Sequence, residues 1–193
     1  MRRRSIPPDE WQYGERLPSD VRGTLLQLVL EFVLAARTLR GVKRIALLGS
    51  LVTDKGRPKD ADVLVAVAED VDLDALARAG RRLKGRAQGI NSGADVFLAT
   101  TEGQYVGRVC HYRDCHPRAA CQARHCGARL HLNDDLDILA LSPDLIASPP
   151  LLLHPQVFAI SAVPDDVASC LVVALQRYVT GHSDPSASDL RPI

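Results

Sequence analysis

A chain of 193 residues, 46% of them hydrophobic, is long and apolar enough for one domain with a true core and some appendages. A formal charge of +1, from 24 basic and 23 acidic residues, excludes a chain driven as a whole onto nucleic acid or an anionic membrane. No run reaches transmembrane length: the most apolar window, Val21 to Leu39, is interrupted by Gln27, Glu31 and Arg37.

In chain order, residues 1–18 carry Pro7, Pro8, Gly14 and Pro18 and read as an irregular arm. The arm starts "MRRRS", but no apolar segment follows as in a secretory signal, so the expected location is cytoplasmic, with no membrane partner. Arg2, Arg3 and Arg4 read as a solvated tail. Ser19 or Asp20 caps a helix predicted from Val21 to about Arg40, with Leu25, Leu28, Val29, Phe32, Ala36 and Leu39 as its apolar stripe and Gly41 as its stop. Arg44 to Leu48 is a predicted strand, and Ala61 to Val67 a second, rich in valine. The loop between them holds Gly56 and Pro58. Asp72 caps a helix from Leu73 to about Ala87, on which Arg81 to Arg86, "RRLKGR", reads as a solvated face. Ala94 to Ala99 is a third strand.

Residues 103–131 change character: apolar periodicity vanishes, and Cys, His and Arg dominate. They read as an insertion between a core at 19–102 and its C-terminal continuation at 132–180. Within that continuation, Leu136 to Leu141 is a predicted strand and Ser142 to Leu153 an irregular segment. Pro164-Asp165-Asp166 opens a last helix that runs to about Tyr178 and carries Cys170 as a core residue. Residues 181–193 read as a disordered tail.

Chemistry concentrates at "RIALLGSLVTDKGRPKDADVLVAV", Arg44 to Val67. Strand side chains at i and i+2 share a face, so Asp60 and Asp62 project together while Val63, Val65 and Val67 pack the other side. Two carboxylates so placed form a hard oxygen site suited to Mg²⁺ or Mn²⁺. Upstream, Gly49-Ser50 directly follows a strand. A glycine there lets backbone N–H groups approach a phosphate, and the serine hydroxyl adds a donor. The two features together suggest a nucleoside triphosphate held between a glycine-serine turn and a metal-bearing carboxylate pair.

Gly49-Ser50, nine residues, then Asp60-Ala61-Asp62 and an apolar strand resembles the signature of the DNA polymerase beta-like nucleotidyltransferase superfamily, most of all its minimal bacterial type. The resemblance spans about Val42 to Thr100. It implies an α+β fold, a small mixed sheet flanked by helices, with two divalent metals. The reaction it implies moves a nucleoside monophosphate from an NTP to an acceptor. A third family aspartate on a neighbouring strand matches Asp95 in "GADVFLAT", with Asp134, Asp135 and Asp137 as a competing acidic cluster. Asp60, Asp62 and Asp95 are thus the expected catalytic and magnesium-binding residues. Where the family has Arg-Gly after the serine, this chain has "LVTDKG", leaving Lys55, Arg57 and especially Lys59 as expected phosphate contacts beside Gly49 and Ser50.

"CHYRDCHPRAACQARHC" places Cys110, Cys115, Cys121 and Cys126 at spacers of four, five and four residues. Such a polar segment offers thiols no core to join, and disulfides are rare in the cytosol. Four thiolates around Zn²⁺ would fold it. His111, His116, His125 or His131 can replace one thiolate; free thiols, a redox pair and an iron–sulfur cluster are the alternatives. Arg108, Arg113, Arg118, Arg124 and Arg129, interleaved with the cysteines, read as solubilising or as phosphate contacts.

Two functions compete. One is an active nucleotidyltransferase whose acceptor is a small molecule, a protein hydroxyl or an RNA end. The other is a non-catalytic or antitoxin-type module that uses the zinc knuckle for a protein or RNA partner. Elemental analysis of freshly reduced protein is expected to find about one zinc ion per chain. Absence of both zinc and iron refutes the four-thiolate site.

Overall fold

Among the described residues seven strands form one mixed sheet flanked by helices, an α+β architecture. The computed structural model describes residues 20–112, 130–133, 140–159 and 162–180. The expected arm and tail, the strand at Leu136 to Leu139 and the competing acidic cluster lie outside these residues. So does most of the cysteine segment, including Cys115, Cys121 and Cys126.

Helix α1, Val21–Ala36, starts where the Asp20 carboxylate accepts the Gly23 N–H at 2.7 Å. Leu25, Leu26, Leu28, Val29, Leu30, Phe32, Val33 and Ala36 are all buried. So wide an apolar surface needs partners on several sides. It packs against the second helix, the last helix and the sheet. The helix stops at Ala36, four residues before the predicted end, and a turn leads to Gly41 at φ +80°. A Cβ on Gly41 would sit 2.3 Å from the Val71 backbone, so glycine is required there.

Strand β1, Val42–Leu48, leads into a 3₁₀ turn at Gly49–Val52. Strand β2, Asp60–Val67, returns antiparallel to β1. Helix α2, Leu73–Gln88, is capped by Asp72, which accepts the Ala75 N–H at 3.0 Å. It crosses over to β3, Gly93–Thr100, which runs parallel to β2. Gly80 lets α2 close onto the sheet, since a Cβ there would touch Val96 and Val109 at 3.3 Å. On one face, Ile45 and Leu47, Ala61, Val63 and Val65, and Ala94, Val96 and Leu98 join the helices in the core. By strand alternation Asp60, Asp62 and Asp95 project to the other face.

Two expectations need correction. The run from residue 103 does not leave the core at once: Tyr105–Val109 forms β4, antiparallel to β3, and Val109 is buried. Leu132–Asn133 adds β5 beyond it. Nor is 142–153 irregular. Pro143–Ile146 is a helical turn, α3, and Leu151–His154 is β6, paired antiparallel with β1 and followed by β7 at Phe158–Ala159. Pairing across the backbone ladder recruits β4, β5 and β7, whereas β6 also buries Leu151 and Leu153 in the core. The sheet order is β5-β4-β3-β2-β1-β6-β7. Ala140 and Leu141, at the end of the predicted strand, are not in a strand. The last helix begins as α4, Asp165–Val167, continues through a π-helical stretch, Ala168–Val173, and ends as α5, Ala174–Thr180, with Cys170 half-buried against the core. No helix among the described residues is long and apolar enough to cross a membrane.

One buried cation ties these parts together. Arg22, 7% exposed, donates to both carboxylate oxygens of Asp166 and to the carbonyls of Leu51 at 3.2 Å and Lys55 at 2.9 Å. It thereby links α1, the last helix and the loop that follows Gly49-Ser50. The guanidinium holds the Asp166 carboxyl below the usual carboxylate range. The stabilisation this pair provides is therefore present above that range and is lost as the pH falls through the lowered folded value. Arg22→Met should lower the unfolding free energy by about 2–4 kcal/mol, because buried carbonyls and a carboxylate lose their donor. Urea unfolding at neutral pH measures this, and a change under about 0.5 kcal/mol shows that the clamp is dispensable.

Candidate functional site

The parallel pairing of β2 with β3 sets the site. It places Asp60 opposite Gly93 and Asp62 opposite Asp95, all at the same end of the sheet. The β1–β2 ladder places Leu48 opposite Asp62, so the Gly49-Ser50 turn starts beside that carboxylate.

Two glycines make room for the carboxylates. A Cβ on Gly93 would lie 2.1 Å from Asp60 Oδ1. Gly49 has φ +68°, and a Cβ there would lie 2.9 Å from Asp62 Oδ2. Asp60 therefore leans over β3, and Asp62 leans towards the turn after β1. The Leu145 side chain of α3 comes within 3.5 Å of the same point above Gly49.

Asp62 is 9% exposed, and no hydrogen-bond donor among the described residues reaches its carboxylate. Burial, then repulsion from Asp60 and from Asp95, pushes its carboxyl up to about 7, against a smaller opposing pull from Lys84. A buried carboxylate without a donor and beside like charges is a place where added positive charge is strongly favoured.

Asp95 is differently placed. It lies beyond the last β3–β4 pair at Phe97 and Arg108. Its Oδ1 accepts from Lys84 Nζ at 3.2 Å, and His111 Nε2 is also 3.2 Å away. Lys84 Nζ and His111 Nε2 are 2.7 Å apart. Burial, then the neighbouring ammonium, lowers the imidazole below its usual value. Neutral Nε2 then accepts from Lys84. Arg81 donates to the carbonyls of Cys110 at 3.4 Å and Tyr112 at 3.3 Å, which holds the segment that carries His111.

The structure thus brings Asp60, Asp62, Asp95, Gly49 and Ser50 to one end of the sheet. Lys55, Arg57 and Lys59 lie exposed on the loop between the turn and β2. Cys110 is half-buried next to this end; its expected zinc partners lie outside the described residues. Among the described residues no three His, Cys, Asp or Glu side chains converge as a ready metal cage. The donor set still suits a hard divalent cation at Asp60 and Asp62, two acceptor carboxylates of which one is buried and unpartnered.

Sequence reasoning missed Lys84, His111, Gly93 and Leu145. It read Arg81 to Arg86 as a solvated face, yet Lys84 is only 21% exposed at its side chain and Arg81 grips the segment after β4. Gly93 carried a readable signal, a small residue two positions before Asp95; Lys84 carried none. Compared with protein-family models, curated proteins and solved structures, the chain matches none.

Asp62 binds its proton more tightly in the folded chain than in the unfolded one. Stability without divalent cation should therefore fall as the pH rises from the ordinary carboxylate range towards 7. Asp62→Asn should flatten that fall. Urea unfolding at about pH 5 and about pH 8, for both proteins, measures the difference. Parallel pH profiles would show that Asp62 titrates normally.

Proposed function

We propose that this chain is a metal-dependent nucleotidyltransferase that moves a nucleoside monophosphate from an NTP to a hydroxyl acceptor. The observation that carries the reading is the register of β2 on β3. It aligns buried, unpartnered Asp62 with Asp95 on the face of Asp60, beside a left-handed Gly49. The resemblance around Gly49-Ser50 and Asp60-Ala61-Asp62 supports it.

In this reading Asp60 and Asp62 hold Mg²⁺ or Mn²⁺. The bound cation supplies positive charge for the triphosphate and for the charge that develops at phosphorus. Backbone N–H groups at Gly49 and Ser50 and the Ser50 hydroxyl orient the phosphates. Lys59, with Lys55 and Arg57, neutralises them from the loop that Arg22 holds in shape. The acceptor oxygen attacks the α-phosphorus, the bond to the α–β bridging oxygen breaks, and pyrophosphate leaves. Asp95 takes the hydroxyl proton, and His111 lies within reach to pass it on. The cysteine segment, entered through Cys110, holds structural zinc in this reading.

One observation favours the second reading, a non-catalytic module. Leu145 sits over Gly49, and Asp95 is already ion-paired with Lys84. In that case the face binds a protein or RNA partner and transfers nothing.

Labelled NTPs with Mg²⁺ and cell extract separate the two. An enzyme should label an acceptor, and Asp60→Asn with Asp62→Asn should abolish both labelling and Mg²⁺-dependent NTP binding in calorimetry. Asp95→Asn should keep NTP binding yet lower transfer about a hundredfold or more. Unchanged NTP affinity in the double variant refutes the site. No labelled acceptor, together with partner capture that survives Asp95→Asn, establishes the scaffold.

A further inference from the structure

The resemblance implies two divalent cations, with Asp95 helping to hold the second. We propose instead that Lys84 is a built-in cation that takes the place of a second divalent ion at Asp95, so that this site holds one divalent ion per chain. The inference rests on the carboxylate reading above and goes beyond it in assigning Lys84 a role and the site a stoichiometry.

Three observations converge. The first is geometric. Lys84 Nζ lies 3.2 Å from Asp95 Oδ1 and 2.7 Å from His111 Nε2, which uses two of its three N–H donors on fixed partners. A divalent ion held by Asp95 would lie within a few Å of that ammonium, and the two positive charges repel. Lys84 already neutralises the carboxylate that a second ion would need.

The second is structural support. Lys84 comes from α2, not from the sheet, and is mostly buried. One turn away Gly80 packs on Val96 and Val109, which fixes the height of the helix over the strands. On the other side, Arg81 holds the carbonyls that flank His111. A mobile surface lysine has neither constraint. The groups that face Lys84 are thus set by α2 on one side and by the segment after β4 on the other.

The third is charge. Asp60, Asp62 and Asp95 bring three negative charges when ionised, and Lys84 brings one positive. A single divalent cation at Asp60 and Asp62 balances the remainder, whereas two would leave an excess in a partly buried place. Asp62, unpartnered and beside Asp60, faces the vacancy in charge; Asp95 does not.

The test uses the full chain as purified, without nucleotide, titrated with Mn²⁺ while free Mn²⁺ is read by electron paramagnetic resonance. Wild type should bind about one Mn²⁺ at this site, and Asp60→Asn with Asp62→Asn should lose it. Lys84→Met should add a second Mn²⁺ or tighten binding about tenfold, because an unscreened carboxylate is released. Lys84→Arg should behave as wild type, and Lys84→Met with Asp95→Asn should lose the gain. Identical Mn²⁺ binding in wild type and Lys84→Met overturns the inference while leaving the carboxylate pair in place. Full Mn²⁺ binding in Asp60→Asn with Asp62→Asn overturns the carboxylate pair itself, and the inference with it. Should Lys84→Met not fold, wild type decides: two Mn²⁺ ions, one of them lost in Asp95→Asn, overturn the inference.

Discussion

The parallel ladder between β2 and β3 crowds negative charge at one end of the sheet, since its register sets Asp62 directly beside Asp95 and Asp60 two residues away on the same face. Like charges on neighbouring strands repel, and burial of Asp62 adds a desolvation cost. Much of the local structure reads as a response. Gly49 and Gly93 remove the side chains that would block the carboxylates, so Asp60 and Asp62 can lean apart. Lys84 reaches from α2 to neutralise Asp95. What stays uncompensated is Asp62, and the chemistry proposed here starts from that residue.

The helical layer makes such an arrangement tolerable. Valines and alanines of β2 and β3 pack against α1 and α2 on the core face, while the carboxylates occupy the other. The apolar face supplies stability that the polar face does not. Arg22 does related work at the opposite margin: a guanidinium fork, suited to bidentate carboxylate pairing, joins Asp166 to the carbonyls of Leu51 and Lys55. The loop after Gly49-Ser50 contains Gly56 and Pro58 and cannot stabilise itself by regular hydrogen bonding. Its shape is imposed from α1 and the last helix.

The segment after β4 connects the two unusual regions of the chain. Val109 belongs to the core, Cys110 opens the cysteine run, and His111 touches Lys84 and Asp95. The Cys110 N–H donates to the His131 carbonyl at 2.8 Å, and His131 Nε2 lies 3.4 Å from Asp74 on α2. Cys110 and His131, which flank the cysteine segment, are thereby tied to each other and to α2.

Local signals in the sequence were enough for the two long helices, three strands and the Asp60–Asp62 pair. Asp20 and Asp72 as caps and the alternation of Val63, Val65 and Val67 are decided by residues close in the chain. They also sufficed to suggest a phosphate-handling turn at Gly49. Short strands β4, β5 and β7 were not legible, because their backbone is recruited by pairing across the sheet and their side chains carry little pattern; β6 is an apolar run, Leu151 to Leu153, obscured by Pro149, Pro150 and Pro155 around it. Asp95 was legible only through a resemblance; its alignment with Asp62 comes from strand register. Lys84 shows why sequence stops there: within "RRLKGR" it is one cation among several, all exposed on an isolated helix. Packing of α2 on β3 and β4 turns that one inward, and the return of the chain at His111 closes around it. Periodicity and caps are local properties, so the sequence by itself determined the two long helices, the first three strands and the paired carboxylates. Ion pairing depends on distances between residues far apart in the chain, so only the tertiary structure decided which charge meets which.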